Sequence, residues 1–360
     1  MNILVLRLGL NSLHYAYFRH YERQPVKHPA RRIDRSRWHA GNKYVDILRE
    51  MRPEESRLAP LDAITIEAKY GGVMFTGPVR ADLAVLEKLK KLTPCAPLHV
   101  PELVELVQAC QEVFPGVPVV LDFETAFFVS LPDREHSLGV DADIIRDPNF
   151  RKFGFYGIYH EAAREYAWEC WPDIRETSRV LSLCLEPRPE IAAILGNKPV
   201  MVTSGVTPLE GLPGHTTCGD LDPFIVLSLA RMKKWGPEQI NDVLTQKSGL
   251  LGLAGRPVTI QELFESNEEE WIPVQDLMKY RILLACGSGI AAMSGLDAIV
   301  FSGRYASAGK KLGPWLASRL SLRGSRKNNV YWDWYDEPID QLLADRAVQV
   351  VMTSPLAVTK

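Results

Sequence analysis

Gly287-Ser288-Gly289-Ile290-Ala291-Ala292 has the spacing G-x-G-x-x-A, which in a dinucleotide site lets the backbone approach a pyrophosphate at a helix start. That chemistry requires a strand just before the glycines and an acidic residue at the end of the next strand; the apolar run Ile282 to Cys286 stands before them. No Walker A motif, H-E-x-x-H or G-x-S-x-G is present. Six cysteines (Cys95, Cys110, Cys170, Cys184, Cys218 and Cys286) are scattered without a C-x-x-C pair. Zinc sites and disulfide frameworks favour tighter spacings, so no metal site is expected and the thiols read as reduced and mostly buried, in a cytoplasmic protein. Residues 19–43 carry eight Lys and Arg (Arg19, Arg23, Lys27, Arg31, Arg32, Arg35, Arg37, Lys43) against Glu22 and Asp34. Such a run could meet RNA, an acidic partner or a phosphate-rich ligand, but a solvated surface loop is the expectation. Trp332, Trp334 and Tyr335 could stack a ligand or form a partner surface; core packing is their default reading.

The elements that must hold these residues follow from pattern. At 360 residues the chain is expected to split into two domains, and 46% hydrophobic and 24% charged residues suit a globular protein. A formal net charge of -2 gives no global attraction to nucleic acid or anionic membrane. No apolar run reaches the roughly 20 residues that cross a bilayer. Met1-Asn2-Ile3-Leu4-Val5-Leu6-Arg7-Leu8-Gly9 lacks a basic leader and a small-residue cleavage site and reads as a buried strand.

Residues 2–18 read as two strands joined near Gly9 to Ser12, and 61–68 as a strand ending at the Gly71-Gly72 turn. Residues 101–114 form an amphipathic helix with Leu103, Leu106, Val107, Cys110 and Phe114 on one face. Pro115-Gly116-Val117-Pro118 ends it, and Val119 to Phe123 is the next strand. Further strands are expected at 180–186, 298–302 and 348–353, and helices at 222–234, 237–246 and 275–295. The alternation argues for an α/β fold.

Six ordered strings then carry a resemblance: Ala96-Pro97-Leu98-His99 with Phe123-Glu124-Thr125-Ala126-Phe127, Gly154-Phe155-Tyr156-Gly157-Ile158-Tyr159-His160, Thr207-Pro208-Leu209-Glu210-Gly211-Leu212, Gly219-Asp220-Leu221-Asp222-Pro223, Ser248-Gly249-Leu250-Leu251-Gly252, and Asp297-Ala298-Ile299-Val300-Phe301. From residue 1 to about 310 the chain resembles the acetate/propionate/butyrate kinase family. The resemblance implies two related α/β domains of the actin-like ATPase (ribonuclease H-like) type around a central cleft, here 1–126 with about 340–360, and 127–339. It places Gly287–Ala292 inside a helix, making the fingerprint a coincidence. It also implies a homodimer, a small-molecule ligand in the cleft, and ATP with Mg²⁺ as cofactors if the family's carboxylate phosphorylation survives.

The family's chemical positions are mostly changed. Its first hairpin N-x-G-S-S-S-x-K corresponds to Arg7, Gly9, Ser12 and His14, with Leu10 at a hydroxyl place; Arg7 replaces the Asn and His14 the Lys. A substrate-binding Arg place holds Glu67, which would repel a carboxylate or phosphate, while Lys69, two residues on along the strand, is expected to pair with it. The catalytic Asp place holds Glu124, still able to act as a base, and the neighbouring His place holds Phe128. Of two His places, one is Tyr156 and the other is His160; His160 reads either as catalytic or as a core histidine. A further cleft Arg place is Thr217. On the nucleotide side Glu186, Pro187 and Arg188 replace a glycine-rich loop, Thr259 and Gln261 replace an Asp and an Arg, and Gly303 is followed by Ser307 at the place of a metal-side Glu. The expectation is an acetate-kinase-like protein that has lost phosphotransfer and acts as a binding or regulatory module, with a protein partner. The alternatives are a surviving acyl-phosphate-forming kinase, using cations such as Arg188 or Arg304, or a changed reaction using Glu124, His160, Arg7 and Tyr156.

Overall fold

The computed structural model describes residues 1–9, 12–21, 24–27, 31–34, 43–55, 60–141, 143–144, 146–320 and 330–353. The chain forms two compact units, Met1–Val129 with Pro338–Lys360, and Ser130–Glu337.

The first unit opens with β1 (Asn2–Gly9). Ile3, Leu4, Val5 and Leu6 alternate between the two faces of the sheet and are all buried, so both faces are covered there and the strand shows a continuous apolar run rather than alternation. β2 (Ser12–Tyr21) returns antiparallel, pairing Arg7 with His14 and Gly9 with Ser12. β3 (Gln24–Lys27) and β4 (Arg31–Asp34) both pair with β2. The segment expected as a surface loop therefore carries two short strands. Arg31 and Arg32 are exposed, whereas the side chains of Arg23, Lys27, Arg35, Arg37 and Lys43 lie outside the described residues. After α1 (Lys43–Glu55), β5 (Ala63–Ala68) joins β1 in parallel with Arg7 opposite Glu67. β6 (Val79–Arg80), α2 (Leu83–Lys90) and α3 (Val100–Val113) follow, and β7 (Val119–Phe123) joins β5 with Glu67 opposite Asp122. Among the described residues the sheet order is β3-β2-β1-β5-β7-β6.

The second unit runs α4 (Asp133–His136), α5 (Gly157–Cys170), β8 (Arg179–Cys184), β9 (Glu190–Leu195) and β10 (Lys198–Val202). Five helices follow: α6 (Pro223–Lys233), α7 (Pro237–Gln246), α8 (Gly249–Ala254), α9 (Ile260–Glu265) and α10 (Ile272–Met293). β11 (Ala298–Ser302), α11 (Gly309–Leu320) and β12 (Tyr331–Trp334) complete it, giving a sheet of order β10-β9-β8-β11-β12. The dinucleotide-like string lies within α10. Its Gly289 is a packing position: a Cβ there would sit 2.7 Å from Leu181 and 3.1 Å from Ala193, so the glycine lets the helix approach β8 and β9. Trp332 and Trp334 pack against this unit's core.

α12 (Ile339–Thr353) returns to the first unit and packs on β5, β1 and β7. This corrects the strand expected at 348–353. Val348, Val350 and Val351 are β-branched, but burial follows Ile339, Leu342, Leu343, Ala347 and Val348, the 3.6-residue period of a helix. Of the cysteines, Cys110, Cys184 and Cys286 are buried, Cys218 is half-buried, and Cys95 and Cys170 are exposed; none forms a disulfide. Among the described residues, no helix is long and apolar enough to cross a membrane and no acidic, His and Cys group could hold a metal.

Candidate functional site

In the first unit, strand register assembles a cluster of charged groups. β1 and β5 set Arg7 beside Glu67, and the period of two along the strand brings Glu67 and Lys69 to one face. Lys69 Nζ bonds Glu67 Oε1 and lies 3.8 Å from Glu124 Oε1. Glu124 follows β7; its N–H donates to Ala68 O at 3.0 Å, and Gly71 N donates to Thr125 Oγ1 at 2.9 Å, so two bonds dock this loop at the end of β5. Burial alone would raise the Glu67 carboxyl, but Lys69 and Arg7 beside it prevail and hold it down at about 2. Burial likewise opposes charge on Lys69, yet Glu67 and Glu124 raise its ammonium above its ordinary range. Arg7 has a second acidic neighbour, Asp340 of α12, with Nε 2.6 Å from Oδ1. Ser12 Oγ lies 3.0 Å from His14 Nε2 on the hairpin, where a Cβ on Gly9 would meet Ser12 Oγ at 2.8 Å. The fold thus brings Arg7, Gly9, Ser12 and His14 into one hairpin and sets Glu67 and Glu124 about Lys69. Phe128 is fully buried.

In the second unit His160 lies on α5 and is fully buried. Its Nε2 is 3.1 Å from Glu190 Oε1 and its Nδ1 is 2.7 Å from Ser182 Oγ. A carboxylate only accepts, so Nε2–H donates to Glu190; in the neutral ring Nδ1 then accepts from the Ser182 hydroxyl. Glu190 also accepts from the N–H groups of Phe155 and Tyr156, at 3.0 Å and 3.2 Å, which fixes the start of α5. Both ring nitrogens are therefore spent on internal bonds, as expected of a core histidine. Burial pushes the Tyr156 phenol well above its usual range, with Arg188 acting the other way.

Of the positions that the resemblance assigned to the nucleotide side, Glu186, Pro187 and Gly303 meet in a second cluster in this unit. Gly303 has a left-handed backbone (φ 87°) and lies so close to Leu185 that a Cβ would be 3.1 Å from its carbonyl oxygen. Tyr305 N donates to Leu185 O at 2.9 Å, and Arg304 N donates to Glu186 Oε1 at 2.8 Å. The Arg304 guanidinium is 3.7 Å from Glu186 Oε2. His215 N donates to Pro187 O at 2.7 Å, and the His215 ring lies against Tyr305 with centroids 5.2 Å apart. Ile260 N at the start of α9 donates to His215 Nε2 at 3.2 Å, which requires the ring to be neutral there. Burial, then the nearby Arg304 charge, lowers the His215 pKa and favours that form.

Thr259 caps α9: its Oγ1 accepts from Glu262 N at 3.1 Å, and the Glu262 carboxylate accepts from Thr259 N at 2.8 Å. Gln261 pairs along the helix with Glu265 at 2.9 Å. Thr217 is buried, and its carbonyl accepts from Gly214 N at 3.0 Å. Ser307 sits in the short 3-10 turn Ala306–Ala308 before α11. A separate cavity of about 340 Å³ is lined by Gly211, Cys218, Lys247, Gly249 and Arg281 among others, and by none of the residues predicted for the site.

Sequence reasoning missed Asp340 and Arg346, which lie on the part of α12 before the strand expected at 348–353, and Asp122 on β7, whose partner Arg346 is 224 residues away. It also missed Glu190, Ser182 and His215, whose partners are distant in sequence; a charge or hydroxyl on an otherwise apolar buried strand was the available signal for Ser182.

Comparison with known proteins agrees with this architecture. The acetokinase family model matches residues 24–311. The acetate kinase of Thermoanaerobacter pseudethanolicus is 30% identical over 297 residues, covering 80% of this chain and 72% of that protein. That of Thermoanaerobacterium thermosaccharolyticum is 30% identical over 284 residues, covering 76% and 70%. In structure, the chain superposes on Porphyromonas gingivalis acetate kinase with a TM-score of 0.83 at 21% identity, over 97% of this chain and 99% of that one. A propionate kinase from Francisella tularensis gives 0.82 at 22% identity, over 96% and 98%. The fold is thus the actin-like α/β fold of acetate and propionate kinases, and the chain belongs to the acetokinase family.

Proposed function

We propose that this acetokinase-family chain has lost ATP:carboxylate phosphotransfer and serves as a binding or regulatory module. The observation that carries the reading is the buried Glu67 carboxylate, held ionised at neutral pH by Lys69 and Arg7. By family position this is a seat for a cation facing an anionic substrate. A carboxylate there repels both reactants, and the two cations beside it are already engaged by Glu67, Glu124 and Asp340. Loss of one preorganised transition-state donor typically costs roughly 100- to 1,000-fold in rate, and here the sign of the group is reversed.

The nucleotide-side loops support the same reading. Phosphate binding by such loops uses backbone N–H groups that are open to the ligand. Pro187 has no N–H, and the N–H groups of Arg304 and Tyr305 are taken by Glu186 and Leu185. This donor set fits the phosphates of ATP poorly. A changed reaction built on Glu124, His160 and Arg7 is less favoured, since both His160 nitrogens are engaged inside the fold.

The test is acetyl phosphate formation from acetate and Mg-ATP, trapped as the hydroxamate, together with thermal unfolding with and without Mg-ATP. The expected results are no product above the enzyme-free rate and no rise in melting temperature. Turnover by the purified protein would overturn the reading.

Self-association is proposed alongside it. None of the residues of α6 is buried, although Phe224, Ile225, Leu227 and Met232 are large apolar side chains exposed by 47% or more. A helix that is apolar over most of its surface needs a cover. Asp222 stands at its start and Arg231 and Lys233 near its end, so two copies packed antiparallel would match opposite charges across a two-fold axis. Sedimentation should give a dimer that Leu227→Lys dissociates; a wild-type monomer at micromolar concentration would refute this.

A further inference from the structure

We propose that Glu186 is a tethered anion filling a latent anion site formed by the backbone N–H and guanidinium of Arg304. The inference rests on the lost-activity reading and goes further, assigning this chain's own carboxylate as the occupant and inorganic phosphate or a phosphate ester as the class of ligand it excludes.

The geometry is that of an occupied anion seat. Gly303 turns the chain through a left-handed conformation immediately before Arg304, which aims the Arg304 N–H out of the loop. One Glu186 oxygen accepts that N–H at 2.8 Å, and the other lies 3.7 Å from the guanidinium of the same residue. A backbone N–H and a guanidinium converging on two oxygens is how proteins hold phosphate and carboxylate groups. The Glu186 side chain is only 10% exposed, whereas Arg304 is 58% exposed, so the carboxylate sits inside while the cation faces outward. The seat is rigid. Leu185 N donates to Ser302 O at 2.7 Å and Tyr305 N donates to Leu185 O at 2.9 Å, holding the strand ends that carry Glu186 and Arg304 against each other. His215 clamps the far side by donating to Pro187 O and packing on Tyr305. Glu186 cannot leave without breaking a charge-assisted bond at a largely buried position, so an external phosphate competes against a ligand of very high effective concentration.

The scaffold of the seat therefore persists, and occupancy rather than collapse excludes phosphate. Shortening Glu186 should empty it. In Glu186→Ala the Arg304 N–H and guanidinium lose their anion and the protein is destabilised; millimolar inorganic phosphate should then refill the seat and raise the melting temperature by about 2–4 °C. Glu186→Ser gives the same readout should the alanine variant fail to fold. Glu186→Gln keeps the shape and one acceptor, so it should stay insensitive to phosphate, as should the wild-type protein. Arg304→Ala added to Glu186→Ala should reduce the rescue.

Folded Glu186→Ala and Glu186→Ser proteins that ignore phosphate would overturn this inference while leaving the lost-activity reading standing. An equal phosphate response in the wild-type protein would overturn it too, because the seat would then be open already. Acetyl phosphate formation by the wild-type protein is the separate result that removes the lost-activity reading.

Discussion

Arg346 of α12 closes a two-point ion pair on Asp122 of β7, with Nε 2.5 Å from Oδ2 and Nη2 3.2 Å from Oδ1, across 224 residues of sequence. Asp122 is fully buried on β7, the strand next to the β6 edge of the first unit's sheet, and β7 sets it level with Glu67. The pair pins the returning end of the chain to the strand that presents Glu124. With Asp340 against Arg7, it makes α12 the element that neutralises both ends of a charged row across β1, β5 and β7.

Arg346→Ala should therefore destabilise the first unit by about 3 kcal/mol, since it takes the two-point partner from a buried carboxylate. Asp122→Asn with Arg346→Leu should recover part of that loss. Urea unfolding of the single and double variants measures the coupling; strict additivity would show that the pair contributes little.

Acid should weaken the fold through Glu67. Its carboxyl is held at about 2 in the folded state against an ordinary 4.5, so its contribution is fully present above 4.5 and is lost as pH falls through about 2. The expected loss over that window is roughly 2 kcal/mol, discounted because Lys69 is partly exposed. Glu67→Gln should flatten this part of the stability curve, and an unchanged acid limb in that variant would assign the effect to other carboxylates.

His215 should stay neutral into mildly acidic solution. Burial and Arg304 place its pKa below the ordinary 6.5, so the unfolded chain takes up a proton that the folded chain resists, and stability falls as pH drops below that value. An NMR titration should give a midpoint under 6.5, and His215→Phe should destabilise by roughly 1–2 kcal/mol through the stranded Ile260 N–H. A midpoint at or above the ordinary value would mean that Nε2 does not accept that bond.

His160→Ala should cost about 2–4 kcal/mol of stability, because it removes bonds to buried Ser182 and Glu190 and leaves a cavity. His160→Asn should restore some of it. If His160→Ala unfolds at the wild-type denaturant midpoint, the triad is not structural and a role in chemistry regains weight.

Gly313 faces Trp332, where a Cβ would approach ring atoms to 2.2 Å. Gly313→Ala should destabilise the second unit by about 1–3 kcal/mol and shift tryptophan emission. Wild-type stability and emission in this variant would mean that α11 and β12 can move apart.

The sequence by itself determined the local elements whose pattern and neighbourhood agree. Apolar Ile3 to Leu6, the helical face from Leu103 to Cys110 and the proline and glycine stop after Phe114 each specify an element within a few residues of chain. It also determined the family, through strings such as Thr207 to Leu212, and the chemical identity of each changed position, so Glu67 opposite in sign to an arginine was legible at once. Its pairing with Lys69 was legible too, because a period of two along one strand sets them on the same face. Tertiary structure alone decided the rest. The run Val348 to Val351 carries a strand-like local preference that α12 overrides, because the apolar face set by Leu342, Leu343 and Ala347 packs on the sheet. It decided that Asp340 and Arg346 meet Arg7 and Asp122, that Glu190 and Ser182 consume both nitrogens of His160, and that Glu186 seats on Arg304. These contacts join residues far apart along the chain, and no local preference encodes them: a buried charge or polar group takes whichever partner the packed elements deliver, and the register of strands decides which one that is.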